Sequence, residues 1–292
     1  MKLLILAGAV AGLLAAQTPD VNSIMAQVGI NQAKSREERA QWIYQQKQLL
    51  RMVRSSGKIA REEHREYLVL PDRRGVKKEL TKFDGRYAKH GTYISYDKPG
   101  YEYKGLDLDG SLIGQMSEDM TNEKDSVDGI ESDLFPLTYH QQLKYTFRLE
   151  GGVQEYRGRQ VWKIAFEPKR RASIVDGDDE GNGSWKGEAL IDAREFQPVA
   201  ITTSLAWKMP AAVRILLGTN IKGLGFSLSY QKVADGIWFP VSYGGEFEVT
   251  GLFFYKRTMS ISLVNSGFRH AGVSSQEAVK QSILDREPRG VS

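Results

Sequence analysis

Alternation between apolar and polar positions dominates the second half of the chain. Val199, Ile201, Leu205, Trp207 and Met209 share one parity, interrupted only by Thr203. Leu224, Phe226, Leu228 and Tyr230 repeat the pattern unbroken, and Phe247, Val249, Phe253, Tyr255, Met259, Ile261 and Leu263 keep one parity over a long run. Successive strand side chains point to opposite faces, so this spacing predicts a sheet that is apolar on one side and wetted on the other. An antiparallel sheet of that kind has to cover its apolar face with helices, a second sheet or a hydrophobic ligand. The cover decides the function.

The first half adds to the sheet. From Ala40 the period is two, with Trp42, Tyr44, Leu50 and Met52 on one parity up to about Arg54. Ser55-Ser56-Gly57 turns the chain into a partner strand over 62–70, with Tyr67 and Val69 on one face, and Gly75 closes the next turn before a third strand over 77–83. Leu143, Tyr145, Phe147 and Leu149 alternate with Lys144, Thr146, Arg148 and Glu150, which marks another half-buried strand.

Three segments read as helical. Thr18-Pro19-Asp20 supplies a hydroxyl cap, a proline at the first helical position and an acid in the first turn. Val21, Ile24, Met25 and Val28 then follow at i, i+3, i+4 and i+7, predicting an amphipathic helix over about 19–36 that serves as core packing or as a movable cover. Pro210 and Gly218 frame a short helical turn, and Ala278, Val279 and Ile283 mark a helix in the tail, stopped by Pro288.

Residues 97–133, rich in Gly, Asp, Glu, Asn and Ser, read as a mobile insertion, with the acidic run 118–133 as a solvated face. No repeat and no Pro- or Ser-rich linker divides the chain. The expected organisation is one domain over 17–272 and a helical tail over 273–292. The expected fold is mainly β (α+β), a large curved antiparallel sheet or incomplete β-barrel covered by short helices.

Composition narrows the setting. Residues 1–16 place one lysine before an apolar run and end in small residues, the pattern of a secretory signal cleaved after Ala16; an uncleaved anchor is the alternative. The chain is therefore expected to be exported and periplasmic. It has no cysteine, which leaves stability to the core and excludes cysteine nucleophiles, cysteine zinc sites and a lipid-modified cysteine at the cleavage site. With 40 basic and 36 acidic residues the net charge is +4, too balanced for a nucleic-acid binder. Arg73-Arg74, Lys77-Lys78 and Lys169-Arg170-Arg171 are short basic patches, read as solvated turns or as contacts for anionic lipid headgroups or an acidic partner.

Catalytic patterns are missing. His64, His90, His140 and His270 share no metal-ligand spacing, so no metal is implied. Gly183-Ser184-Trp185-Lys186-Gly187 and Gly110-Ser111-Leu112-Ile113-Gly114 fail the G-x-S-x-G elbow, because serine follows the first glycine directly. Gly223-Leu224-Gly225 opens a strand rather than a helix and cradles no phosphate, so no cofactor is implied. Asp176, Asp178 and Glu180 imitate half of a calcium loop, but its twelfth position is Gly187 and Glu188 falls one residue late. No pair of carboxylates stands out.

Trp185-x-Gly187-x-Ala189-x-Ile191-Asp192 followed by Phe196-x-Pro198-Val199, and the turn Asp235-Gly236-Ile237-Trp238-Phe239-Pro240, resemble motifs of bacterial outer-membrane lipoprotein-sorting proteins. Over about 185–264 the chain is similar to poorly characterised relatives of this LolA/LolB-like group. The resemblance implies a half-barrel with helices across its mouth and a cavity for acyl chains, with no catalytic residue. In that reading Val199, Ile201, Leu205, Trp207, Leu224, Phe226, Leu228, Tyr230, Phe247, Val249 and Phe253 line the cavity. The partners are lipid or lipoprotein acyl chains, with an envelope protein and peripheral membrane contact possible and no nucleic acid. Two other readings stay open: an interaction module with a dry core, and a hydrolase with an unrecognised carboxylate site.

Overall fold

The computed structural model describes residues 19–72, 75–103, 107–121, 135–169, 185–206, 219–251 and 255–273. The expected signal segment, the 210–218 turn, the calcium-loop imitation, most of the acidic run and the 274–292 tail lie outside the described residues.

The chain runs α1 (Val21–Arg39), β1 (Trp42–Arg54), β2 (Ile59–Asp72), β3 (Gly75–Lys89), β4 (Thr92–Tyr96), α2 (Leu108–Thr121) and α3 (Tyr139–Gln142). It continues through β5 (Tyr145–Leu149), β6 (Gln154–Tyr156), β7 (Arg159–Pro168), β8 (Trp185–Asp192), β9 (Pro198–Leu205), β10 (Thr219–Lys222), β11 (Gly225–Ala234), β12 (Ile237–Gly251) and β13 (Tyr255–His270). All thirteen strands join one antiparallel sheet in the order β4-β3-β2-β1-β13-β12-β11-β9-β8-β7-β5, with β10 on β12 and β6 on β7. The pairing of β1 with β13, from Trp42 opposite His270 to Arg54 opposite Arg257, joins the early meander to the late one. Among the described residues β4 and β5 do not pair with each other, so the sheet is an open, curved trough, as the alternation predicts.

At two points neighbouring strands pass too close for a side chain. A Cβ on Gly187 would stand 1.9 Å from the Thr202 carbonyl oxygen, and one on Gly245 would stand 2.2 Å from that of Gly225. Only glycine permits that approach.

Helix α1 begins two residues later than the sequence suggests. Asp20, not Thr18, is the cap, and its carboxylate accepts from the Asn22 and Ser23 amides at 3.1 and 3.3 Å. The helix buries Ile24, Met25 and Val28 against the sheet's main core. A second, aromatic cluster of Trp42, Tyr44, Val69, Val76 and Phe239 closes one end of the trough, with Phe239 and Phe268 ring centroids 4.5 Å apart. Within the stretch expected to be mobile, Leu108–Thr121 form α2, capped by Asp107 on the Gly110 amide, with Ile113 fully buried in the main core.

Candidate functional site

The apolar wall is built from alternate residues of seven strands. Trp162, Ile164 and Phe166 of β7 continue into Ala189 and Ile191 of β8, Ile201 of β9, and Phe226 and Leu228 of β11. Tyr243, Phe247 and Val249 of β12, Met259, Ile261 and Leu263 of β13, and Leu50 and Met52 of β1 complete it. Three covers lie on this wall: α1 through Ile24, Met25 and Val28, the segment before α3 through Phe135 and Leu137, and α2 through Ile113. Between wall and covers a narrow gap is bordered by Met25, Pro136, Leu137, Phe147, Ile164, Phe166, Ala189 and Ile201. No water-sized sphere fits within it, so in this state it is not a ligand pocket of the usual ~300–1,000 Å³. The Trp162 indole N–H, buried in this wall, finds no acceptor among the described residues.

The hold on α1 is uneven along its length. Its C-terminal half is fixed to the β8–β9 turn by polar contacts. Asn31 Nδ2 donates to the Glu195 carbonyl at 2.8 Å, Gln32 donates to the Gln197 side chain, and Gln197 Nε2 donates to Ser35 Oγ at 3.0 Å. Arg39 Nη1 donates to the Trp238 carbonyl at 3.0 Å. The N-terminal half rests on apolar contact and one side-chain clip, where Gln142 Nε2 bonds the carbonyls of Met25 at 2.8 Å and Leu137 at 3.0 Å.

The other half of the trough is charged inside. Arg61, Glu63 and Arg65 of β2 share the parity of Tyr67 and Val69, and all three are buried. Arg61 donates to Tyr96 Oη at 2.7 Å, to Asp107 Oδ2 at 2.6 Å and to the Tyr101 carbonyl. Tyr96 Oη donates to Glu63 Oε1 at 2.6 Å, and Arg65 holds Glu63 Oε2. Two cations thus face two anions, which is the condition for burying them. Burial pushes the Tyr96 hydroxyl well above its usual range, the bond to Glu63 and its charge add to this, and Arg61 opposes it. A polar row, Gln46, Gln48 and Asn265, with Ser117 of α2 on Gln48 at 3.0 Å, lies beside this network.

Beside the buried network an open cleft of about 190 Å³ is lined by Arg54, Ala60, Tyr87, Ala88, Tyr103, Asp107, Leu108, Asp109, Tyr255 and Arg257. Asp109 accepts from Tyr255 Oη at 2.7 Å and from Arg257 Nε and Nη2 at 3.0 and 3.1 Å. Burial pushes the Tyr255 hydroxyl up, and Asp109 adds to that against Arg257. Asp107 and Asp109 are the convergent carboxylates of this cleft, each tied to an arginine. Among the described residues no group of three or more His, Cys, Asp or Glu is placed to hold a metal.

Of the residues expected to line a cavity, Ile201, Phe226, Leu228, Phe247 and Val249 meet in the apolar wall, and Leu224 and Tyr230 pack against it half-buried. Leu205 is half-buried at the end of β9. Val199 is absent from the wall. A bulge between Leu190 and Ile191 leaves it out of the β8–β9 pairing, and it packs instead with Val161 and Trp238 in a separate cluster. Thr203, which breaks the apolar pattern in sequence, is buried with its hydroxyl 3.4 Å from the Phe226 carbonyl. Trp207 and Phe253 lie outside the described residues. The charged interior escaped sequence reading, although Arg61, Glu63 and Arg65 stand in register with Tyr67 and Val69.

No family model and no curated protein matches the chain. Among solved structures it is similar to a putative outer membrane lipoprotein-sorting protein domain from Vibrio parahaemolyticus. That match has 12% identity and a TM-score of 0.35, covering 89% of this chain and all of the other. A DUF1329 family protein from Desulfovibrio piger matches at 13% identity and TM-score 0.34, covering 91% of this chain and all of the other. MucB, solved in complex with MucA, matches at 10% identity and TM-score 0.21 over 87% of this chain and all of the other. Superposition at these scores is too partial to transfer a site. No helix among the described residues is long and apolar enough to cross a membrane.

Proposed function

We propose that the chain is an exported, non-enzymatic carrier or binder of lipid or lipoprotein acyl chains in the bacterial envelope, with α1 as its cover. One observation carries the reading: a continuous apolar wall is shielded by a helix whose polar anchors gather in its C-terminal half. Swinging the N-terminal half away requires release of the Gln142 clip and exposure of Ile24, Met25 and Val28. An acyl chain entering the vacated space replaces those contacts, at about 0.8 kcal/mol per buried methylene. Trp162 then offers its N–H to an ester or acid carbonyl.

Periplasmic expression followed by organic extraction and mass spectrometry tests this directly. Lipid is expected in stoichiometric amount. A lipid-free preparation that also ignores fluorescent fatty acyl probes sinks the proposal.

A second reading is favoured by the narrowness of the gap under the covers, which admits no water-sized sphere. In it the wall is a permanent dry core and the protein acts through its surface. Because the chain has no cysteine, paired spin labels at Cys substituted for exposed Ala26 and Val264 report the position of the N-terminal half of α1. A single distance that excess fatty acid leaves unchanged supports the dry core; a second, longer population supports the cover.

A further inference from the structure

The covers of the apolar wall have an outer face that no role given so far uses. Helices α1 and α3 meet there: a Cβ on Gly29 would stand 3.7 Å from the Tyr139 amide nitrogen. Around this contact three large apolar side chains are turned to solvent, Tyr139 67% exposed, Ile30 64% and Leu143 53%. The wall uses none of them, since Ile24, Met25, Val28 and Leu137 face it instead. Lys144 follows Leu143, and its carbonyl accepts from the amide of exposed Lys169 at 2.8 Å. Lys34 is exposed one turn beyond Ile30.

The charge on this face has one dominant sign. Residues 21–36 and 135–149 contain no Asp or Glu, in a chain that carries 36 of them. Asp20, at the start of α1, is taken up by the Asn22 and Ser23 amides. The acid nearest in strand register is Glu167, opposite Thr146, one carboxylate beside Lys144 and Lys169. Apolar tips flanked by lysines match an anionic bilayer: tyrosine and leucine enter the headgroup layer, and ammonium groups meet the phosphates. A second copy seated on the same face would bring like charges together.

We propose that the α1–α3 face docks on an anionic phospholipid bilayer, with Ile30, Tyr139 and Leu143 in the headgroup layer and Lys34, Lys144 and Lys169 on the phosphates. Docking there sets the cover of the apolar wall against the membrane. The docking face does not rest on the acyl-binding reading; passage of an acyl chain from the bilayer under α1 does.

Vesicle co-sedimentation of the purified protein at low salt tests it, with pure phosphatidylcholine set against equimolar phosphatidylcholine and phosphatidylglycerol. Binding to the anionic vesicles is expected to be at least about tenfold tighter and to weaken as salt is added. Lys144→Gln combined with Lys169→Gln is expected to weaken it by about tenfold or more, at roughly fivefold per lysine. Tyr139→Ser combined with Leu143→Ser is expected to cost about tenfold on the same vesicles. Lys77→Gln combined with Lys82→Gln removes equal charge from β3, at the other side of the sheet, and is expected to change binding by less than about twofold. Circular dichroism checks that all three variants fold. No preference for the anionic vesicles, indifference to the Lys144 and Lys169 changes, or an equal loss in the β3 variant overturns the docking face. Self-association that Tyr139→Ser and Leu143→Ser abolish, without vesicle binding, overturns it too and assigns the surface to a second copy. Vesicle docking with no uptake of fluorescent fatty acyl probes keeps the face and removes the acyl carrier; probe uptake without docking does the reverse.

Discussion

The two halves of the trough solve the burial problem in opposite ways. From β5 to β13 the inner face is mainly hydrocarbon, and the N-terminal half of α1 meets it chiefly through non-directional contact. From β2 to β4 the inner face is ionic, and α2 is held by directed bonds: Arg61 reaches Asp107 just ahead of it, and Arg257 of β13 reaches Asp109 within it. Apolar contact tolerates sliding and replacement by another hydrocarbon, whereas a paired buried charge has one good arrangement. The difference teaches where movement can occur. α2 is fastened at its N-terminal end by charge, and the N-terminal half of α1 by one side-chain clip, so the proposed exchange falls on α1.

The largest expected break in this contrast is Arg61→Met. It strands Asp107 without its cation, leaves Glu63 with Arg65 alone, and should destabilise the fold by about 3–5 kcal/mol, read by denaturant titration. Loss near zero would mean that the ionic half is not a fastening. Next, Ile164→Ala in the apolar wall should cost about 2–5 kcal/mol, and an added alkane should recover part of it by filling the enlarged gap.

A smaller effect comes from Glu62, between Arg51 and Arg86 on β2. Burial alone would raise its carboxyl, but the bonds and charge of Arg51, then those of Arg86, hold it below its ordinary value of 4.5. A depressed carboxylate contributes stability that is present above the unfolded value and lost as pH falls through the folded one. Glu62→Gln should therefore cost about 1–2 kcal/mol at neutral pH and flatten the decline of stability below 4.5, followed by pH-dependent melting. An unchanged acid limb would place the sensitivity elsewhere. The smallest is Asn31→Ala, which removes the bond to the Glu195 carbonyl and should cost about 1 kcal/mol. Its sharper reading is hydrogen exchange: α1 amides should exchange faster while those of β1 and β13 hold.

Much of the architecture was legible because alternation is a direct imprint of a half-buried strand. The run Trp42 to Met52 became β1, Leu224 to Tyr230 became β11, and the Asp235-Gly236 turn sits between β11 and β12, with Gly236 at φ 69°. Helical spacing from Val21 to Val28 gave α1. Two things were hidden for physical reasons. The β8–β9 bulge turns Val199 away from Ile201, and a bulge leaves no mark in hydrophobicity. The charged interior was hidden because Arg61, Glu63 and Arg65 look solvated one by one. Only their register with Tyr67 and with the aspartate that caps α2 shows them to be inside.

The two crowded glycines set a limit on what the sheet can accept. Carbonyl oxygens occupy the places where their side-chain carbons would stand, so the close passage of neighbouring strands there is written into the main chain. Any larger residue at Gly187 or Gly245 has to push backbone aside, since no flexible side chain is there to yield.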